Sequence, residues 1–284
     1  MKIDLKDLAR LIDKLPAFPE SVSKILELTS RDDLAAKELV AVVERDMVMT
    51  VRVLKLVNSP LFGISREVTS VQHAVVYLGI DTIKNLAISI ATSGTLPKSN
   101  GAGLDMEAFW LQSLSVGVAA KMLADRAGVP KFESADYFVA GLLHNIGKIV
   151  FAHFYPENYA KVLETAKLLN KPDYRVEKEL FGIDHSELGA MLADEWQLPE
   201  RLVQAIKHHH SIGEDLALSD AQSDLEKAIF SASQIFHRLN ADARETVAIP
   251  KPVEDWLNAS LDEVVDEMSN LEEEIDKAMI FIEA

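Results

Sequence analysis

The chain has 284 residues, 48% of them hydrophobic and 26% charged, which is a globular composition with length for one large domain or two packed lobes. A formal charge of −16 repels phosphate backbones and argues against general nucleic-acid binding. The absence of cysteine removes disulfides, thiolate metal sites and a cysteine nucleophile.

The opening stretch MKIDLKDLARLIDKL carries charge throughout and does not read as a signal peptide. Leu8, Leu11, Ile12 and Leu15 mark one face of a first helix, which Pro16 ends. Pro19 and Glu20 open a second helix that runs through Leu28, and Asp32 or Asp33 caps a third through Glu44. Asp46 caps a fourth, with Met47, Val51 and Leu54 on one face, and Asn58-Ser59-Pro60 stops it. Gly79 and Asp81 separate two apolar helices over 70–78 and 82–93. The window HAVVYLGIDTIKNLAISIA is broken by Gly79, Asp81, Lys84 and Asn85 and is too polar to span a bilayer. The expectation is a soluble, cytoplasmic protein that contacts no membrane.

The segment around LPKSNGAG has little to bury and reads as a linker over 96–104. Helices follow near 105–127, 133–153, 157–169, 173–181, 186–196, 199–210 and 222–239. In the tail, Leu261, Met268, Ile275 and Ile282 recur every seven residues, with Val264, Leu271 and Ala278 between them. One continuous helix is expected there, packed on its own domain or, as the alternative, pairing two copies as a homodimer. The fold class is therefore all-α and two-lobed with a C-terminal helix. The expected units are a helical lobe over 1–95, a second over 105–240 and a tail over 241–284.

Six of the eight histidines fall between His144 and His210. His73, His153 and His237 read as ordinary hydrogen-bonded core residues. His144, His185 and the run His208-His209-His210 lie beside small or polar residues where several helices can converge, and imidazole is a common metal ligand.

The stretches LPAFPESVSKILEL, VVERDMVMTVRVLKLVNSPLFG, FWLQS, AGLLHNIGK and DHSELGAMLADEWQLPERLVQAIKHHH resemble, in that order, an HDOD domain. Such domains are relatives of the HD and HD-GYP metal-dependent phosphohydrolases and occur in bacterial signalling proteins. The resemblance spans roughly residues 10–240 and implies an HD-like helical bundle over the second lobe. It also implies a pocket. Gln112 stands at the place of the first histidine of that pattern, and His144-Asn145 at its His-Asp pair. His185 and His209-His210 match the later histidines, Ser233 stands at the closing aspartate, and Lys148 matches the lysine of the HD-GYP motif.

Asn145, Ser233 and Gln112 are neutral. An amide oxygen does not bridge two divalent cations as a carboxylate does, and two-metal hydrolysis requires that bridge. The expected protein is thus a non-catalytic regulatory HDOD module without a cofactor. It would act through signalling partners, or hold a nucleotide or phosphorylated small molecule with Lys148 as the anion donor. The alternative is a divalent-metal phosphohydrolase acting on a nucleotide or cyclic dinucleotide. A single Zn, Fe or Mn ion would then sit on His144, His185 and His209, with Asp184, Glu187 or Asp215 supplying a carboxylate. No phosphate loop, nucleophile elbow or HExxH motif points elsewhere.

Overall fold

The computed structural model describes residues 2–3, 8, 20–29, 35–64, 66–96, 100–213, 223–242 and 244–279. Leu11, Ile12, Leu15 and Pro16 of the expected first helix, the Asp32 or Asp33 cap, Asp215 and Ile282 lie outside them. Every regular element among the described residues is helical. They run α1 (Glu20–Thr29), α2 (Ala36–Arg45), α3 (Met47–Val57), α4 (Val71–Leu78), α5 (Ile80–Thr95), α6 (Met106–Arg126), α7 (Lys131–Leu143) and α8 (Ile146–Phe154). Then follow α9 (Pro156–Leu169), α10 (Asp173–Phe181), α11 (His185–Glu195), α12 (Glu200–His208), α13 (Asp224–Leu239), α14 (Lys251–Leu257), α15 (Leu261–Glu267) and α16 (Leu271–Ala278). No described helix is long and apolar enough to cross a membrane.

Capping chemistry places many of the starts. The Asp46 carboxylate accepts from the Met49 amide at 3.0 Å and opens α3. Asp105 accepts from the amides of Glu107 and Ala108 and opens α6. Reciprocal capping boxes open α11 (Asp184 with Glu187), α13 (Ser223 with Glu226) and α15 (Ser260 with Glu263). Gly79, at φ 84°, both ends α4 and begins α5, so Asp81 sits in the first turn of α5 and does not cap it.

Two helices expected to be continuous are broken. The pattern over 133–153 divides into α7 and α8 at the turn His144-Asn145. The heptad tail divides into α15 and α16 around Ser269-Asn270, two residues whose side chains compete with helical backbone hydrogen bonds. Its apolar positions Leu261, Val264, Met268, Leu271 and Ala278 are buried in this chain's own core. Arg126, at the end of α6, bonds the Leu257 carbonyl and pairs with Glu267 at 2.7 Å, which fastens the tail to α6.

Helices α6 and α7 form the central pair, with α13 against both and α5 against α7. They approach closely because Gly117 faces Gly141: a Cβ on Gly141 would stand 2.6 Å from the Gly117 Cα. In the first half, Val53, Leu56, Val57, Leu61 and Phe62 are core, whereas Met47, Val48 and Val51 face solvent.

One polar joint ties α5, α7 and α12. Asn85 donates to the Asp136 carboxylate, which also pairs with Arg201 at 2.8 Å. Burial outweighs the nearby Arg201 and pushes the Asp136 carboxyl up to about 6. The fold therefore favours the protonated acid, so stability is lost as pH rises from the unfolded carboxyl's range through about 6. Urea unfolding should give a wild-type stability about 1–1.5 kcal/mol lower near pH 8 than near pH 5 on this account. Asp136→Asn should flatten that difference, and an unchanged pH slope in this variant would assign the titration to another group.

Candidate functional site

The turn His144-Asn145 leaves α7, and α8 then crosses α11 at a point that admits no side chain. A Cβ on Gly147 would lie 2.1 Å from the His185 carbonyl oxygen and 2.8 Å from the Gly189 amide. That approach sets the turn beside His185, the first residue of α11. Helix α12 packs along α11 and ends at His208, so His209 and His210 follow at its C-terminus.

In His144, His185 and His209 the Nδ1 is held. His144 Nδ1 donates to the Gly141 carbonyl at 2.6 Å and His209 Nδ1 to the Ile206 carbonyl at 2.7 Å. His185 Nδ1 faces a Glu177 carboxylate oxygen at 2.7 Å. Since the acceptors cannot donate, Nδ1 carries the proton in each, and the Nε2 atoms of His144 and His209 keep their lone pairs, whereas His185 Nε2 shares one proton with His210 Nε2. His209 Nε2 is buried with no partner. His210 stacks on Tyr174 with ring centroids 4.1 Å apart and brings its Nε2 to 3.0 Å from His185 Nε2. His144 lies edge-on to His209 at 4.9 Å between centroids. The group with mutually reachable ligand atoms is His185, His209 and His210, all within 4.8 Å. It differs from the triple the sequence suggested: His210 takes the place of His144.

Burial, then the repulsion of neighbouring imidazolium, pushes the pKa values of His144, His209 and His210 down, that of His209 to about 3. These rings are neutral at physiological pH, the state in which imidazole ligates. Three imidazoles with converging ring nitrogens, one of them an unpartnered buried acceptor, fit a single Zn²⁺ or Fe²⁺ ion. They do not fit a bridged pair of ions, because each described carboxylate around the pocket is engaged. Asp184 and Glu187 close the capping box of α11 and pair with Lys178. Glu177 accepts from Tyr159 Oη at 3.1 Å, from the His185 amide at 2.7 Å and from its ring. Asp173 pairs with Lys148 at 3.0 Å.

Lys148 is buried. Burial works against its ammonium, yet Asp173, Glu245 and Glu177 outweigh it and raise its pKa. It is therefore the partner of a protein carboxylate and not a free anion donor. Asn145 is buried in the turn, and its carbonyl accepts from the Lys148 amide at 2.9 Å. Gln112 is half-buried on α6 and Ser233 buried on α13; among the described residues neither hydrogen-bonds an imidazole of the cluster.

His73 and His153 are exposed rather than core, and His208 pairs with Glu226 at 2.8 Å. His237 is buried with an unpartnered Nδ1, and burial lowers its pKa to about 4. Sequence reasoning missed Glu177, Tyr159, Asp173, Tyr174 and Glu245. Glu177 had a signal: it falls on the inward stripe of Tyr174 and Phe181, where a carboxylate needs a partner.

A family model for the HDOD domain matches residues 15–212. A protein of Treponema pallidum (strain Nichols) is 30% identical over 205 residues, which is 72% of this chain and 39% of the relative. The chain thus spans about two fifths of the length of that curated relative. A crystal structure from Shewanella amazonensis, named as a candidate phosphohydrolase, is 25% identical with a TM-score of 0.74 over 97% of both chains. An HDOD domain protein of Geobacter sulfurreducens is 24% identical with a TM-score of 0.70 over 98% of both chains, and shows the shared fold.

Because backbone atoms of α11 would meet a side chain at Gly147, neighbouring rotamers cannot relieve the clash. Gly147→Ala is expected to cost about 3 kcal/mol or more in chemical unfolding. Gly103→Ala, whose Cβ meets nothing within 4 Å, should show only the strain of its φ of 75°. Equal losses in the two variants would mean that the α8–α11 approach is not the constraint.

Proposed function

The chain belongs to the HDOD family, and on that premise we propose that it is a non-catalytic signalling module that works by recognition rather than by hydrolysis. One observation carries this reading. The pocket gathers His144, His185, His209 and His210, and each described carboxylate beside it already holds an amide, a ring, a hydroxyl or a lysine. Two cations need a bridging anion to offset their repulsion, and Asn145 offers none. A single ion on three imidazoles would supply a fixed positive charge and a cross-link between α11 and the end of α12.

A phosphorylated ligand is the weaker expectation, since Lys148 is buried against Asp173 with Glu245 and Glu177 near by. The signal is then passed to partner proteins of the signalling machinery. The phosphohydrolase reading retains one observation in its favour, the convergence of His185, His209 and His210. Assays separate the two. Purified protein supplied with Mn²⁺, Fe²⁺ or Zn²⁺ and a panel of phosphomonoesters, nucleotides and cyclic dinucleotides should release phosphate or open phosphodiesters no faster than His209→Ala. Metal-dependent turnover that disappears in His209→Ala overturns the non-catalytic reading.

A further inference from the structure

We propose that the solvent face of α3 is a docking surface for a second copy of this chain. The two α3 helices cross antiparallel about a two-fold axis at Val51, and Lys55 of each copy meets the Glu20 end of the other. The surface shares no residue with the histidine pocket, so the proposal stands apart from what that pocket holds.

Helix α3 is apolar on two faces. Met49, Val53, Leu56 and Val57 are buried on one. On the other, Met47, Val48 and Val51 are 80%, 63% and 47% exposed. With exposed Lys55 they fall within about 100° of one another around the helix. A helix apolar on both faces ordinarily buries both. At its Met47 end the stripe borders an open cavity of about 490 Å³ whose charged lining is Glu20, Lys24, Arg45 and Asp46. Lys24 pairs with Glu27 at 2.6 Å. Asp46 accepts from the Ser21 hydroxyl at 2.8 Å and the Met49 amide at 3.0 Å. Among the described residues, Glu20, Arg45 and Lys55 form no ion pair.

Charge identifies the occupant. Residues 1–95 carry twelve Lys or Arg and twelve Asp or Glu, so the whole −16 falls on residues 96–284. Two copies repel through their acidic parts and can approach through the neutral part without that cost. The stripe is also self-complementary. Its unpaired acid, Glu20, stands at one end, and its unpaired base, Lys55, lies about 12 Å along the helix from Met47. Val51 is midway between Met47 and Lys55. An antiparallel crossing at Val51 sets each Lys55 over the partner's cavity beside Glu20 and packs the apolar side chains between them. A parallel crossing would set Lys55 against Lys55. An acidic partner helix would answer Lys55 and be repelled by Glu20, and a basic one the reverse. A two-fold contact of this kind is closed and gives a dimer, not a filament.

The test is analytical ultracentrifugation of the full chain over a range of concentrations at physiological salt. One helix face with its cavity lies at the small end of specific interfaces, so a reversible monomer–dimer equilibrium in the micromolar range is expected. Val51→Asp sets two carboxylates together at the axis and should weaken association about 100-fold or more. Met47→Asp, at the more exposed position, serves if Val51→Asp does not fold, which circular dichroism reports. Lys55→Glu and Glu20→Lys should each weaken the dimer about 10-fold. The double reversal Glu20→Lys/Lys55→Glu should return it to within about 3-fold of wild type. Mixing the two single variants should give a heterodimer tighter than either self-pair, which a merely structural role for these residues would not produce. Leu168→Asp, at an 81% exposed position on α9 in the acidic part, should leave association unchanged. The proposal is overturned by a monomer through the high-micromolar range or by open-ended assembly. A dimer that survives both Val51→Asp and Met47→Asp, or a double reversal that restores nothing, overturns it equally.

Discussion

The contact of α8 with α11 at Gly147 is the constraint on which the pocket depends. No Cβ can stand 2.1 Å from a carbonyl oxygen, so only glycine lets the two backbones meet there. That meeting brings the end of α7 beside the first residue of α11. The second glycine pair, Gly117 with Gly141, seats α7 on α6 by the same means, one turn before His144. The motif GLLHNIGK therefore serves packing at both glycines, ring placement at His144 and a buried ion pair at Lys148.

Charge balance decides what the assembled pocket can do. Four imidazoles can be gathered within ring contact only while most are neutral, and burial keeps them so. The acids near by have been matched to protein donors: Glu177 to His185 and Tyr159, Asp173 to Lys148. Breaking a buried ion pair such as Lys148–Asp173 strands a charge at about 3–5 kcal/mol, so these acids are held in place and not offered to a second cation. Glu245 extends the arrangement: it accepts from the Asp173 amide at 3.0 Å, and its own carbonyl and the Val247 amide are clasped by the Gln234 side chain. The segment after α13 is thereby fastened against the first turn of α10.

Much of the helical pattern was legible because period and cap agree: Asp46 and Gly79 each mark an end that the structure keeps. The breaks at His144-Asn145 and Ser269-Asn270 were not, since the apolar period runs on through both while tertiary packing and local hydrogen bonding interrupt the backbone. The histidines of the site were legible as a cluster but not as a particular triple. Spacing along the chain cannot say that the end of α12 turns two adjacent rings inward, or that His144 is held edge-on behind them. Glu177 was hidden for a related reason. Its partner is eight residues away across a helix boundary, and only the fold reveals that a carboxylate on an apolar stripe has found a ring to hold.

The site and the joint between the two halves of the chain share α12. Near its start, Arg201 pairs with Asp136, which is bonded to Asn85 of α5; just past its end stand His209 and His210. Nine residues of helix make a rigid lever between these points. A ligand drawing His209 and His210 toward His185 therefore acts on the element that Asp136 anchors to α5. It can bias that joint only to the extent that it binds one arrangement of α12 better than another.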